Sequence, residues 1–290
     1  MRVAVVGAGA WGTAFAGVLR ARGHEVELAG REAAENPTVA AAELVCVAVP
    51  SRVFAQVVAS LPGSAPILVL TKGLDPGSGK RLSEVVGGRE AVVLSGPNHA
   101  EEVALGLPAA AVLAGANEKL VVALQHEIHS TAFRVYVNSD LVGVELCAAA
   151  KNVIALAAGA VDGLEAGDNA KAALITRGLA EMARLGEACG ARPDTFAGMA
   201  GMGDLMVTCW SRYGRNRRAG ELIARGSSPA EAAAEIGQVV EGLTTAPALR
   251  ELARRNRVEL PITEAVCEVL SGASLSELVS GLMGRRPTDE

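Results

Sequence analysis

Aromatic residues are nearly missing from this chain: only 3% of its 290 residues are Phe, Trp or Tyr. Single-stranded nucleic-acid surfaces interleave aromatics with basic side chains, so that class is disfavoured at once. The net charge of −5 adds no general attraction for nucleic acid or an anionic membrane. The five cysteines (Cys46, Cys147, Cys189, Cys209 and Cys267) are scattered without a C-x-x-C pair. That spacing argues against a disulfide framework or thiolate metal site and fits a reducing compartment. Four histidines fall in no ligand spacing, so no metal is expected. No run of about 18 uninterrupted apolar residues marks a membrane span. A single arginine followed by a strand and a glycine-rich turn is not a secretory signal. A soluble, cytoplasmic chain is the expectation. Lysine is also scarce, with Lys72, Lys80, Lys119, Lys151 and Lys171 the only five among 27 basic residues.

What is present is apolar: half of the residues, drawn mainly from Ala, Val and Leu, with a fifth charged. This is a globular composition, and the length suits one large domain or two ordinary ones. The chain opens with Val3-Ala4-Val5-Val6 running into Gly7-Ala8-Gly9-Ala10-Trp11-Gly12, an apolar strand feeding a G-x-G-x-x-G turn. Each glycine has its own task. Gly7 permits the tight turn, Gly9 lets backbone approach a pyrophosphate, and Gly12 lets the next helix pack closely with its N–H groups toward the anion. The helix-like run from Thr13 to Arg20 and a second strand, His24–Ala29, complete a βαβ unit. A dinucleotide site outweighs a plain βα turn. The second strand ends Leu28-Ala29-Gly30-Arg31, without the acid that would hold an NAD ribose; Glu32 comes one place late, and Arg31 suits a 2′-phosphate.

Up to about residue 138, buried-looking strands (44–50, 67–70, 91–94, 109–113 and 133–137) alternate with helix-length segments. Such runs indicate a parallel sheet covered on both faces, a Rossmann-type domain over 1–140. From about 140 the spacing becomes helical: 144–158 is apolar nearly all round, 170–188 is periodic, and helices are predicted at 217–225, 229–236, 245–256, 263–270 and 275–282. Residues 141–290 are read as an all-helical second domain with a frayed tail from Gly284.

Lys151 lies in the middle of the most apolar helix, with Cys147, Ala148, Ile154 and Ala155 one turn away on either side. A buried ammonium is costly unless paired, and burial lowers its pKa into the range useful for proton transfer. A snorkelling lysine is the weaker reading. Lys72, between Thr71 and Gly73 at a strand's carboxyl end, fits a site lysine or an exposed loop lysine equally well. Asp204, in Gly201-Met202-Gly203-Asp204-Leu205, fits either a helix cap or the anionic partner of Lys151, with Thr208 one turn beyond. Arg212, Arg215, Arg217 and Arg218 form a local anion site in an acidic protein, though Arg217 and Arg218 read better as a solvated helix start.

These pieces together resemble bacterial NAD(P)-dependent sn-glycerol-3-phosphate dehydrogenase. The shared stretches are GAGAWGTAFA, AVPS, TKGL, SGPNHAEE, FRVYVNSD, VGVELCAAAKNVIALAAG, NAKAALITRGLAEM, GMAGMGDLMVTC, GRNRRAG, GQVVEG and PITE, in family order from residue 3 to about 264. The resemblance implies a Rossmann domain plus a helical substrate domain and the reaction dihydroxyacetone phosphate + NAD(P)H ⇌ glycerol 3-phosphate + NAD(P)+; the residues ending the second strand slightly favour NADP over NAD. It implies Lys151 as the catalytic lysine, supported by Asp204 and Thr208. Lys72, Asn152, Gly96, Asn98 and Gly214 would complete the substrate site, with Arg215 and Asn216 on the phosphate. Gly7, Gly9, Ala10, Trp11, Gly12, Arg31, Lys72, Ala100, Arg215, Val239 and Glu241 would line the cofactor. A homodimer is implied as well. The alternative is a hydroxyacid or ketopantoate reductase type, which would prefer a carboxylate to a phosphate. Two departures stand out: the connection after Arg31 is shorter than the family's, and Gly214 stands where relatives often carry a side chain.

Overall fold

The computed structural model describes residues 1–275. Its first half runs β1 (Arg2–Val6), α1 (Ala10–Ala21), β2 (Glu25–Ala29), α2 (Pro37–Ala40), β3 (Leu44–Val47), α3 (Ser51–Ser60), β4 (Ile67–Val69), β5 (Ala91–Ser95), α4 (Ala100–Ala104), β6 (Ala109–Gly115), α5 (Glu118–Ile128) and β7 (Phe133–Asn138). The strands form one sheet in the order β2-β1-β3-β4-β5-β6-β7. Alternation along each strand divides the core in two. Val3, Val5, Cys46, Leu68 and Leu94 join one apolar cluster; Ala4, Val6, Val47, Val69 and Val93 join another on the opposite face. From β1 the chain moves outward to β2, then crosses back to pair β3 on the other side of β1. That reversal opens a crevice beyond the carboxyl ends of β1 and β3, where open α/β sheets bind ligands.

The sheet departs from the expected parallel arrangement at one step. β6 runs antiparallel to β5, and β7 then runs parallel to β6. The link from Ser95 to Ala109 holds only the five-residue α4, about 7.5 Å of helix. That helix docks against α1 and keeps the link at this end of the sheet, so β6 starts where β5 stops and runs back beside it. The strands otherwise fall where apolar runs place them, with edges shifted by one to three residues.

The second half is helical: α6 (Leu141–Gly163), α7 (Asp168–Ala188), α8 (Pro193–Ala197), a π-helical turn (Met199–Gly203), α9 (Asp204–Trp210), α10 (Arg215–Ala224), α11 (Pro229–Ile236), α12 (Glu241–Arg255) and α13 (Pro261–Leu270). α10 starts two residues before its expected place and α12 four before, Pro247 sitting inside the latter. The expected helix 275–282 and the tail from Gly284 lie outside the described residues, apart from Leu275. α6 is long and apolar enough to cross a membrane by composition, yet 83% of its apolar window is buried here. It is the shaft of the fold. One end of it packs on the sheet face that carries Val47 and Val69, and the other helices surround the rest. Its closest neighbour is α10: a Cβ on Gly220 would collide with the Leu156 carbonyl, and one on Gly159 with the backbone of Arg217. Glycine at both positions lets the two backbones touch.

Candidate active site

A cavity of about 860 Å³ lies in the crevice between sheet and helices. One wall is the turn Gly7-Ala8-Gly9-Ala10-Trp11, with Gly30, Arg31, Ala33 and Ala34 further out; the other carries Lys151, Asn152, Thr208, Gly214, Arg215, Asn216, Val239 and Glu241. Lys72, Asn98 and Ala100 lie between them. Gly7 takes φ +111, and a Cβ there would strike the Ala48 carbonyl. Nothing lies within 4 Å of where a Gly9 Cβ would be. The turn is therefore closed on the protein side and open toward the cavity, the shape a pyrophosphate needs. The Trp11 indole N–H beside it is buried and unpartnered among the described residues. Gly12 faces away from the cavity, packed beneath the Gly7 carbonyl.

At the other end of the cavity, α6 buries Lys151 to 5% exposure, so it does not snorkel. Its Nζ donates to Asp204 Oδ1 at 2.5 Å and to Thr208 Oγ1 at 3.1 Å. An ammonium has three donors, so one is left for a substrate oxygen. Asp204 is the first residue of α9, buried behind the lysines, and no cap hydrogen bond occupies its carboxylate. Its Oδ2 accepts Lys72 Nζ (2.9 Å), Ser95 Oγ (3.2 Å) and the Gly96 N–H (3.3 Å). Lys72 also donates to the Gly96 carbonyl (3.0 Å) and Asn98 Oδ1 (2.9 Å). All three of its hydrogens are thus held by protein acceptors. Thr208 closes the group by donating to the Asp204 carbonyl at 2.6 Å.

One carboxylate therefore faces two ammonium groups. Burial pushes the Lys151 pKa down against the pull of Asp204, and Lys72 pushes it further, to about 7. Burial alone would raise Asp204, but Lys151 and Lys72 outweigh it and hold the carboxyl at about 2. Lys171 shows that burial alone does not mark a reactive lysine. It is equally buried, but Asp162 holds it bidentately at 2.8 and 2.9 Å, outside the cavity lining.

Asn152 donates to the Lys72 carbonyl (3.1 Å) and accepts from Asn216 (2.9 Å), which in turn accepts from the Gly242 N–H (2.8 Å). Arg215, exposed at the start of α10, donates to the Val239 carbonyl at 3.2 Å. Gly214 contributes backbone only, since a Cβ would press on the Thr208 carbonyl. Glu241 reaches across the crevice to accept the N–H (3.1 Å) and hydroxyl (2.5 Å) of Ser51, and burial raises its pKa. Gly12, Gly96 and Asp204 support the cavity from behind; the other residues that the resemblance implies line it, whereas Arg212, Arg217 and Arg218 of the expected anion site do not.

Arg217 is not the solvated residue its sequence suggests, because its guanidinium pairs with Asp162 (2.8 Å) and Glu221 (3.0 Å) under 16% exposure. Arg218 does stay at the surface, paired with Glu235. His99, in the SGPNH stretch but with no role assigned from the sequence, lines the cavity against the Tyr213 ring, and burial followed by the Lys151 charge lowers its pKa. Arg52 at the start of α3 lines the cavity too.

A model of the NAD-dependent glycerol-3-phosphate dehydrogenase N-terminus matches residues 2–39 and 32–121, and one of the C-terminus matches 140–280. A glycerol-3-phosphate dehydrogenase [NAD(P)+] from Moorella thermoacetica is 43% identical over 325 residues, covering 99% of this chain and 97% of the relative. The chain belongs to the NAD-dependent glycerol-3-phosphate dehydrogenase family. A crystal structure of the family's enzyme from Coxiella burnetii superposes with a TM-score of 0.90 at 36% identity, over 98% of both chains. A ketopantoate reductase from Ralstonia eutropha reaches a TM-score of 0.60 at 17% identity over 93% of this chain and 97% of the other, a likeness of fold alone.

Within this glycerol-3-phosphate dehydrogenase family the chain is short. An alignment of 325 residues against a chain of 290 leaves the relative at least 35 with no counterpart here. The N-terminal model breaks at 32–39, the place where a 3-10 turn (Arg31–Ala34) and the four-residue α2 make the whole crossover from β2 to β3.

Proposed function

We propose that this chain interconverts dihydroxyacetone phosphate and sn-glycerol 3-phosphate with NAD(P)H, supplying glycerol 3-phosphate for phospholipid synthesis in the cytoplasm. The observation that carries the reading is a buried Lys151 ammonium, two of its three donors engaged, opening into the same cavity as the Gly7–Gly9 turn and Arg215. Residues 1–140 act as the cofactor-binding domain and 141–290 as the substrate-binding domain.

The residues of this turn fit the proposed cofactor. Gly7, Gly9, Ala10 and the α1 N-terminus would receive the pyrophosphate, and Trp11, Arg31, Ala100, Arg215, Val239 and Glu241 border the remainder. Bound NAD(P)H supplies a hydride to C2 of the ketone. Lys151 donates its free proton to the C2 oxygen as charge develops there, so carbonyl, hydride and proton sum to the secondary alcohol. The neutral amine left behind stays hydrogen-bonded to Asp204 and Thr208 until solvent reprotonates it. Lys72, with every donor engaged, holds Asp204 and Asn98 in place and adds positive potential. Arg215 and Asn216 are assigned to the phosphate, for which a guanidinium fork is well shaped. Arg215→Ala is expected to raise KM for dihydroxyacetone phosphate roughly 10- to 100-fold with a smaller effect on kcat; an unchanged KM removes it from the phosphate site.

NADP is favoured over NAD. Arg31 lines the cavity at the end of β2, whereas the Glu32 carboxylate folds back onto the Gly30 N–H at 2.8 Å and stays out of the lining. Paired kinetics with NADPH and NADH test this together with the reaction: a higher kcat/KM with NADPH is expected, and absence of dihydroxyacetone phosphate turnover with either removes the reading. A homodimer is proposed from the family. Met199, Met202, Met206 and Trp210 lie exposed along one face of the π turn and α9, the kind of apolar stripe that marks an interface. Sedimentation equilibrium should give twice the chain's 29.5 kDa.

A further inference from the structure

The segment between β4 and β5 is unlike the other connections. Instead of a covering helix it makes a loop that carries Lys72, closes on itself through a bridge between Leu74 and Arg81, and ends in a 3-10 turn, Leu82–Val85. Thr71 ties its first residue to the end of β3 by donating to the Val49 carbonyl at 2.7 Å. Lys72 bonds to Gly96 and Asn98 after β5, and Arg89 Nε donates back to the Ala65 carbonyl at 2.6 Å; the stretch between those two residues is anchored on the helical side. Arg255 of α12 donates to the Ser78 carbonyl at 3.2 Å. The main grip comes from α6, at two points.

The first is Glu145, a carboxylate only 4% exposed inside the most apolar helix of the chain. Each of its hydrogen bonds goes to this loop: the Ser83 N–H at 2.9 Å, the Ser83 hydroxyl at 2.5 Å and Arg81 Nη1 at 2.8 Å. The second is Asn152, which holds the Lys72 carbonyl itself. The two residues are seven apart, two helical turns, so they project from one face of α6 about 10.5 Å apart along its axis. Lys151 is Asn152's neighbour on the same rigid helix. The loop that brings Lys72 to Asp204 is therefore registered against the helix that brings Lys151 to the same carboxylate.

Resting on the dehydrogenase reading, we propose that Glu145 is a positioning residue: through Ser83 and Arg81 it fixes how far the Lys72 ammonium stands from Asp204, and so sets the charge balance at Lys151. If the loop slackens, Lys72 retreats. Asp204 is then left to Lys151 alone, the repulsion from Lys72 weakens, and both changes make Lys151 hold its proton more tightly. The other titratable groups that interact with this pair keep their places: His99 on the segment that follows β5, and the buried thiols of Cys147 on α6 and Cys209 on α9, both pushed up by burial.

The test is lysine titration in the full chain. With only five lysines, carbon-13 labelling at lysine Cε gives a few signals, and Lys151→Arg assigns the one of interest. In Glu145→Gln, and more weakly in Ser83→Ala, the Lys151 midpoint is expected to rise, by about one pH unit in the former. The pH–rate profile should move with it: in Glu145→Gln the alkaline decline of dihydroxyacetone phosphate reduction should shift up by about one pH unit, while KM for dihydroxyacetone phosphate, which reads Arg215, changes less than about twofold. An unmoved Lys151 midpoint in the folded variants overturns the proposal, leaving Glu145 a structural residue whatever happens to kcat. If Glu145→Gln does not fold, Ser83→Ala, which keeps Arg81 on the carboxylate, decides by the same midpoint. Wild-type chain that titrates as expected but turns over no substrate would defeat the dehydrogenase reading and leave the positioning result standing.

Discussion

Lys151→Ala is expected to lower kcat for dihydroxyacetone phosphate reduction by on the order of 100- to 10,000-fold, the range for removing a positioned general acid. NADPH affinity should hold within about twofold, because the turn from Gly7 to Trp11 lies on the opposite wall of the cavity. Stopped-flow turnover alongside fluorescence titration of NADPH separates the two quantities. The same lysine fixes the sign of the pH dependence. With its pKa lowered to about 7, reduction, which needs the ammonium, should decline as pH rises through that value. Oxidation of glycerol 3-phosphate needs the free amine and should decline as pH falls through it. A variant retaining both limbs would show that another group moves the proton.

Asp204→Asn should be nearly as damaging, by a different route. The carboxylate is 1% exposed and is paired with two lysines, and breaking a buried pair by removing one partner typically costs about 3–5 kcal/mol. For a chain of this size that lowers Tm by on the order of ten degrees. Without the anion, burial and Lys72 both act to strip the proton from Lys151. Residual reduction should therefore be greatest at acid pH rather than near neutrality. Calorimetry with a pH–rate profile checks both parts; a variant with the wild-type profile would mean that Asp204 only supports the fold.

Lys151 was legible in the sequence because a charge in a helix that is apolar on every side violates amphipathic patterning, and such a violation needs a local cause. The dinucleotide turn was legible for a similar reason: its glycines come at positions where backbone geometry leaves little choice. Asp204 and Lys72 were ambiguous because their pairing joins segments 132 residues apart, and no local pattern encodes a contact at that separation. Glu145 could have been found by the argument that singled out Lys151, since it is the other charge inside the same apolar run. The guanidinium of Arg217 went astray because its partner Asp162 lies on a different helix. The reversed β6 depended on where α4 docks, against α1, a contact between distant segments that no local pattern encodes.

The glycine seam between α6 and α10 has a consequence for which molecules can react. Lys151 and Asn152 stand on one helix and Arg215 and Asn216 on the other, and the Asn152–Asn216 hydrogen bond locks them side by side. With the backbones already touching at Gly159 and Gly220, the two helices cannot slide closer to follow a shorter compound. On the proposed assignment of Arg215 and Asn216 to the phosphate, the pair would act as a ruler between carbonyl and phosphate. Ketone phosphates one carbon longer are expected to react more slowly, a difference that kcat/KM for the two lengths would show.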